Sequence, residues 1–412
     1  MIHKEIICFI DIGTTKIASV IAECEKNSFK IIGLGKSKSE GLKKGVIVDV
    51  QKTVNSIKDS IEIATKQAKV DIDSAFVGIS GQHVSGINYS GVISIGSQND
   101  VNIGDEISED DVERVKNQAR SIHLSADRKI LHVLNQEYVI DDKEGLNNPI
   151  GLSGNTLKSK VHLVTIDNNA ERDLRNSLEK ANIEVNRFIL EPLASGYSVL
   201  DDHEMKLGKI VIDIGGGTTD MIVFKDEGVL HTVAIPYGGN SISTDLAYFL
   251  NCSIEEAERI KIEYGAAKSI LVDDTQLVEY ITTQNESTNN ELLKKISNVI
   301  EMRMSEIFFL LKKELERINY DKVHSLGIVL TGGGAKLKNI VDLSEEIFEL
   351  RARIGTPQQL DGLGDKLNSP RYSTLIGLIK YYNRHPNESY TENNDMVKKG
   401  ISKIKDFIKK LY

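Results

Sequence analysis

Cysteine is scarce: Cys8, Cys24 and Cys252 are the only three in 412 residues, and their spacing matches no metal site. Two of them lie in apolar segments, so buried, reduced thiols are expected rather than a disulfide framework. Long apolar runs are also missing. None approaches the ~20 residues of a membrane-spanning helix, and the first apolar stretch carries one early lysine and is interrupted by Asp11. A secretory leader is therefore not expected, and the body of the protein is expected in the cytoplasm. Positive charge is in deficit, with 51 Lys and Arg against 60 Asp and Glu, and the net charge of −9 argues against nucleic acid as a general partner. His132 and His162 have no acid or thiol ligands near them in sequence and give no basis for a metal centre.

What the chain does have is size, glycine turns and pattern. At 412 residues it exceeds one ordinary core and predicts two lobes. The organising stretch is Lys209-Ile-Val-Ile-Asp213-Ile-Gly215-Gly216-Gly217-Thr218-Thr219-Asp220-Met-Ile-Val-Phe224. Two β-branched apolar runs flank three glycines, which reads as a hairpin with a phosphate-sized turn. Peptide N–H groups in such a turn can act as anion donors, the threonine hydroxyls add to them, and Asp213 at the strand end can hold a hydrated Mg²⁺. A lone glycine hairpin would be weak evidence.

The plan recurs, however, in Ile6-Ile-Cys-Phe-Ile-Asp11-Ile-Gly13-Thr14-Thr15-Lys16-Ile-Ala-Ser-Val-Ile21. The two aspartates are 213 − 11 = 202 positions apart, about half the chain, so a duplicated half-molecule is the economical reading. A third element, Ser325-Leu-Gly-Ile-Val-Leu-Thr331-Gly332-Gly333-Gly334-Ala335, is a buried-type strand ending in glycines that would let a flat base lie against the backbone.

At these residues the sequence resembles the actin-like ATPase superfamily, which includes actin, MreB, DnaK-type chaperones, sugar kinases and the bacterial FtsA family. The resemblance implies an α/β, actin-like (ribonuclease H-like) two-lobe fold with duplicated mixed-sheet domains and inserted subdomains. It makes Asp11 to Lys16 the first phosphate loop, Asp213 to Asp220 the second, and Thr331 to Ala335 the adenosine loop. The implied cofactors are ATP and Mg²⁺, the metal held through water by Asp11 and Asp213. Glu191-Pro-Leu-Ala-Ser-Gly-Tyr and Ser369-Pro-Arg-Tyr-Ser-Thr fit the starts of the two connecting helices. The segment from Val84 to about His162, with Ile130 to Tyr138, Asn148 to Gly154 and Val161 to Thr165, resembles the FtsA form of the superfamily's variable insertion.

The remaining chain supplies further candidates. Ser108 with Asp111, and Ser253 with Glu256, predict helices opened by capping boxes. Glu191 stands at a strand-to-helix junction; in the superfamily such a position orients water or metal, while a carboxylate stabilising its own helix N-terminus is the plainer reading. Glu258 and Lys261 are i, i+3 and in isolation read as a surface ion pair; the resemblance places them against the nucleotide. Leu271 to Asn290 reads as irregular and Glu291 to about Ile318 as a long helix. On it, Arg303 and Glu306 share a face, and the resemblance makes them the contact for the C-terminal peptide of the tubulin-like FtsZ.

The C-terminus is distinctive. Asn383 to Met396 is polar, contains Pro386 and has no hydrophobic period, as in a tether. In Gly400–Tyr412, Ile401, Ile404, Phe407, Ile408 and Leu411 form one apolar stripe, with Lys403, Lys405, Lys409 and Lys410 around it. From Lys398 onward six lysines face one acid, Asp406, giving +5. This predicts an interfacial helix whose lysines meet anionic headgroups at ~1 kcal/mol each. The expected organisation is a first core at 1–83 and 163–206, an insertion at 84–162, a second core at 207–243 and 323–382, a small subdomain at 244–322, a linker at 383–398 and a membrane helix at 399–412. The expected function is an ATP-binding division protein, with at most slow hydrolysis. It forms filaments with itself, holds FtsZ to the inner face of the cytoplasmic membrane at the division site and recruits later division proteins. Alternatives are an adaptor of the PilM type, disfavoured by the basic tail, and a sugar-kinase-type phosphotransferase, for which no substrate-facing acid can be named.

Overall fold

In the computed structural model, residues 5–25, 28–96, 105–283, 287–318, 326–357 and 360–385 are described. From the N-terminus, β1 (Glu5–Ile12), β2 (Lys16–Glu25) and β3 (Ser28–Lys38) form an antiparallel meander. A small hairpin, β4 (Leu42–Lys43) and β5 (Val46–Ile47), leads into α1 (Val50–Ala68), which Asp49 caps by accepting from the Lys52 N–H. β6 (Ser74–Ile79) then runs parallel to β1. The chain next makes β7 (Val84–Ser94), β8 (Asp105–Glu106), α2 (Glu109–Arg120), β9 (Arg128–Ile140), β10 (Lys143–Leu146), β11 (Ser153–Gly154) and β12 (Thr156–Asp167). Four of these strands form their own antiparallel sheet in the order β10-β9-β12-β7. The reciprocal bonds between Ser108 and Asp111 open α2 as its sequence predicts.

α3 (Asn168–Lys180), β13 (Glu184–Leu190) and α4 (Glu191–Val199) return the chain to the first sheet. After α5 (Asp202–Leu207), a second meander follows as β14 (Lys209–Ile214), β15 (Thr219–Lys225) and β16 (Gly228–Ile235). α6 (Gly239–Leu250), α7 (Ile254–Glu263), the hairpin β17 (Leu277–Ile281) and β18 (Thr288–Leu292), and α8 (Leu293–Arg317) lie beyond it. β19 (Gly327–Thr331), α9 (Ile340–Phe348), β20 (Ala352–Ile354), β21 (Asp361–Gly362) and α10 (Ser373–Arg384) complete the described chain.

The two large sheets share one topology. The first runs β13-β6-β1-β2-β3 and the second β20-β19-β14-β15-β16, in each case two parallel pairings followed by two antiparallel ones, and the first adds the short β21 parallel to β3 at its edge. Strand β14 is apolar from Ile210 to Ile212 and again at Ile214 because both of its faces are covered. Ile210, Ile212 and Ile214 join a core with α6, α8 and α9, while Val211 points to the core shared with the first sheet. Between the sheets α4 and α10 cross in close contact: a Cβ on Gly377 would stand 1.8 Å from the Ala194 carbonyl oxygen.

Two local expectations differ from the structure. Residues 271–290, read as irregular, contain β17 and the start of β18, which runs on to Leu292 so that α8 begins at Leu293 rather than Glu291; in β17 Val278 and Tyr280 are buried between exposed Leu277, Glu279 and Ile281. The polar Thr288-Asn-Asn-Glu-Leu292 partner hides the strand signal. At α7 only half of the capping box forms. Ser253 accepts from the Glu256 N–H, but the Glu256 carboxylate is engaged by Arg259 and the Ile281 N–H instead.

Candidate functional site

The β1–β2 and β14–β15 turns close by the same bond, Gly13 N–H to the Lys16 carbonyl and Gly215 N–H to the Thr218 carbonyl, each at 3.0 Å. The duplicated local sequence thus gives a duplicated local geometry. The turns face each other. A Cβ on Gly216 would stand 2.2 Å from Thr15 Cγ2, and one on Gly217 2.4 Å from Thr14 Oγ1. Only glycine backbone permits that approach. Gly45 joins the junction by donating to Thr14 Oγ1 at 3.2 Å.

Carboxylates gather behind the turns. Asp11 pairs with Lys16 at 2.7 Å, and the Lys16 ammonium lies 5.2 Å from the Tyr372 ring centre. Asp213 accepts from Ser195 of α4 at 2.5 Å and from Thr374 of α10 at 3.3 Å; these two hydroxyls are 3.1 Å apart. Asp220, cross-strand from Asp213, accepts from Ser80 and, at 3.2 Å, from Thr218. Glu191 begins α4, its side chain against Gly78.

The electrostatics follow from this crowding. Burial first, then Asp11, Asp220 and Asp213, push the Glu191 carboxyl well above the usual carboxylate range, with Lys16 opposing. Burial likewise raises Asp213, and takes Asp220 to about 7. Glu191 is half-buried at the first position of α4, a setting open both to a role at the site and to stabilisation of its own helix N-terminus. Four carboxylates around a single lysine make a site short of positive charge, although among the described residues no three Asp, Glu, His or Cys side chains converge as direct ligands of one metal ion. A cavity of about 30 Å³ bordered by Glu191, Ser80 and His83 has room for roughly one or two waters.

Beside the second turn, α6 is tied on through Gly239 N–H to the Gly215 carbonyl and Asn240 N–H to the Gly216 carbonyl. Lys261 from α7 donates to the Gly239 carbonyl and Ser243 Oγ, both at 2.9 Å, and to Glu258 at 2.5 Å. The pair is thus no solvated surface bridge, because Lys261 is buried and reaches the turn's own support. β19, pairing with β14, brings Gly332, Gly333 and Gly334 alongside Asp213 and Ile214. Gly332 has φ +83° with Asp213 Oδ1 in the space of its absent Cβ, whereas a Cβ on Gly333 would meet nothing within 4 Å.

Arg303 on α8 is held by Asp245 of α6, at 2.5 Å through Nε and 3.0 Å through Nη2, and also bonds Glu306. Its guanidinium lies 5.9 Å from the Tyr237 ring. On α8 Met302 and Phe309, and on α6 Tyr248, are strongly exposed. The tail candidates Ile401, Lys403, Ile404, Lys405, Phe407, Ile408, Lys409, Lys410 and Leu411 lie outside the described residues. The two histidines are used internally. His132 accepts from the Leu190 N–H at 3.0 Å, and His162 bridges Asn88 and Thr232 at 2.7 and 2.8 Å.

Sequence reasoning passed over Ser195, Thr374 and Ser80 and gave Asp220 no role. Ser195 could have been found, since it lies one helical turn after Glu191 on the same face.

Comparison with known proteins supplies a family. The profile described as cell division protein FtsA matches residues 210–377, and that of the SHS2 domain inserted in FTSA matches residues 81–165. The chain is 38% identical to the cell division protein FtsA of Pseudomonas aeruginosa, covering 90% of this chain and 88% of that one. With FtsA of Escherichia coli K12 it is 33% identical, covering 99% and 97%. Among solved structures it is similar to the PilM-PilN type IV pilus biogenesis complex, with TM-score 0.64, 14% identity and coverage of 92% and 98%. It is also similar to MreB5 of Spiroplasma citri bound to ADP, with TM-score 0.55, 14% identity and coverage of 93% and 99%. These structural likenesses show an actin-like fold.

Proposed function

Because the chain belongs to the FtsA family of cell division proteins, we propose that it binds ATP with Mg²⁺ between its opposed glycine turns, assembles with itself into filaments and tethers FtsZ to the membrane. The carrying observation is the meeting of two like turns, Gly13–Thr15 and Gly215–Thr218, in front of Asp11, Asp213, Asp220 and Glu191. Bound ATP and Mg²⁺ would bring polyphosphate charge that the turn N–H groups and Lys16 can meet, and a cation that the acids can meet. In this reading Asp11 and Asp213 hold the metal through water, and Glu191 positions water or metal. Glu258, Lys261 and Gly332 to Gly334 border the nucleoside. MreB5 of similar fold was solved with ADP, which supports the nucleotide assignment.

Arg303 and Glu306 are the proposed contact for the FtsZ C-terminal peptide, and the Ile401–Leu411 stripe with its lysines the membrane contact, placing the protein on the cytoplasmic face at the division site. Among the described residues no helix is long and apolar enough to cross a membrane, so attachment would fall to that segment. The division into two cores, insertion, small subdomain, linker and membrane helix at the boundaries given above is part of the same proposal. The test is co-sedimentation with anionic vesicles and an FtsZ C-terminal peptide, with and without Mg-ATP. Loss of Lys399–Tyr412 should abolish vesicle binding and spare nucleotide binding; retained vesicle binding would reject the membrane role. A calorimetric titration in which Mg-ATP binds no better than ATP with chelator would reject the metal assignment.

A further inference from the structure

A groove of about 1200 Å³ opens between α2, β9 and β12 on one side and α4, α5, β15 and β16 on the other. That volume lies above the 300–1,000 Å³ of typical small-molecule pockets, so a chain segment suits it better than a metabolite. Its lining grades from buried apolar residues, such as Met205 and Val229, through half-buried Val133 and Leu134, to exposed charges of both signs at Glu113, Arg120 and Glu227. The polypeptide leaves α10 at this place, since Arg384 and His385 are themselves part of the lining. They are pinned there: the Arg384 guanidinium lies 5.0 Å from the Tyr197 ring and bonds Asp202, and His385 Nε2 is 3.3 Å from the Tyr197 hydroxyl.

The 27 residues 386–412 start from that rim and end in the apolar, lysine-flanked segment. Away from lipid, the apolar stripe would otherwise meet water. We propose that, when no membrane is present, Gly400–Tyr412 docks into this groove with its apolar stripe inward, so that the groove masks the membrane-binding surface. The inference rests on the membrane reading above only for what displaces the segment.

Dimensions and reach agree with this occupant. A helix of these 13 residues would be about 20 Å long and 10–12 Å across, enclosing roughly 1900 Å³. The groove would take its apolar part and leave lysines in water. The 14 residues 386–399 can extend to about 50 Å, ample for the segment to double back. The tether supplies an effective concentration near the millimolar range, so even a weak intrinsic contact would hold the segment. Anionic lipid competes with ~1 kcal/mol per lysine.

Thiol cross-linking of the full chain tests this, because Cys8, Cys24 and Cys252 are all buried. One variant carries Asn117→Cys on the groove wall with Ser402→Cys in the segment. The control carries Glu62→Cys with Ser402→Cys. Glu62 belongs to α1, which packs on the Ser19 face of the first sheet, whereas α10 packs on the Phe9 face. With a short bismaleimide and dilute protein, the groove pair should give an intramolecular product at about ten times the control yield, the excess expected of a specific contact over tether collisions. Adding Val133→Asp to the groove pair should bring the yield down to the control. Equal yields from groove and control pairs, or a yield indifferent to Val133→Asp, would overturn docking. Vesicles containing phosphatidylglycerol should suppress the product and phosphatidylcholine vesicles should not. A product undiminished on chain that co-sediments with vesicles would overturn masking. A strong, Val133-dependent product in a chain that binds no vesicle would uphold docking and remove the membrane reading alone.

Discussion

Asp213 takes its hydroxyl donors from residues 18 and 161 positions away in sequence, Ser195 and Thr374. Each donor favours the ionised carboxylate against a burial that disfavours it. Ser195→Ala should therefore leave Asp213 more readily protonated and lower Mg-ATP affinity by about tenfold, the scale of one lost bond to a charged group. Calorimetric titration of wild type and variant checks this, and an unchanged affinity would remove Ser195 from the site. Asp220 gives a pH dependence. Its folded value of about 7 exceeds the ordinary 3.8, so the folded chain holds this proton more tightly than the unfolded one. Stability should fall as pH rises from about 4 to about 7 and change no further above that, through this group. Asp220→Asn should flatten that part of the melting-temperature profile measured without metal; a profile as steep as wild type would contradict the assignment. The aspartates were legible in the sequence because strand, glycine turn and strand are contiguous. Thr374 was not, because only the tertiary crossing of α4 and α10 brings it to Asp213, and Ser195 was within reach only through its place one turn after Glu191.

At the scale of elements, the site depends on how closely α4 and α10 cross. α10 begins with Ser373 and Thr374, which bond Thr331 and Asp213, and ends at Arg384 beside the groove. α4 contributes Glu191 and Ser195. Gly377 sets their separation, and Gly377→Ala places a methyl where the Ala194 carbonyl stands. The expected cost is about 1–3 kcal/mol, read as a lower urea midpoint with unchanged slope. Nucleotide affinity should fall as well, since the helices must part and carry Ser195 and Thr374 with them. Wild-type stability in the variant would show that the crossing adjusts freely. Elements with a strong period, such as α1, α8 and the paired β-branched strands, could be read from the sequence. β17–β18 could not, since a two-stranded hairpin with one polar strand offers alternation on only half of its length. Nor could the groove, which forms where the insertion meets both cores and belongs to no single segment.

Across the whole molecule, charge is divided unevenly. The net −9 is the sum of −14 for residues 1–397 and +5 for residues 398–412. An anionic bilayer attracts the end and repels the body, so one copy should bind weakly, and more weakly still while its own groove competes for the segment. Copies joined in the proposed filament would present many segments at once, and after the first engaged, the others would bind at the high effective concentration of a shared scaffold. Bound fraction should therefore rise steeply and sigmoidally with protein concentration at fixed lipid, and move to lower concentration with Mg-ATP if nucleotide favours assembly. Replacing Lys409 and Lys410 by Gln removes ~2 kcal/mol from each segment. That loss should shift the lipid requirement far more for assembled protein than for dilute protein, because it is multiplied by the number of copies. Flotation with anionic vesicles across a protein dilution series measures both effects. A hyperbolic curve, indifferent to protein concentration and shifted equally by the double substitution at every point, would mean that each copy binds lipid alone.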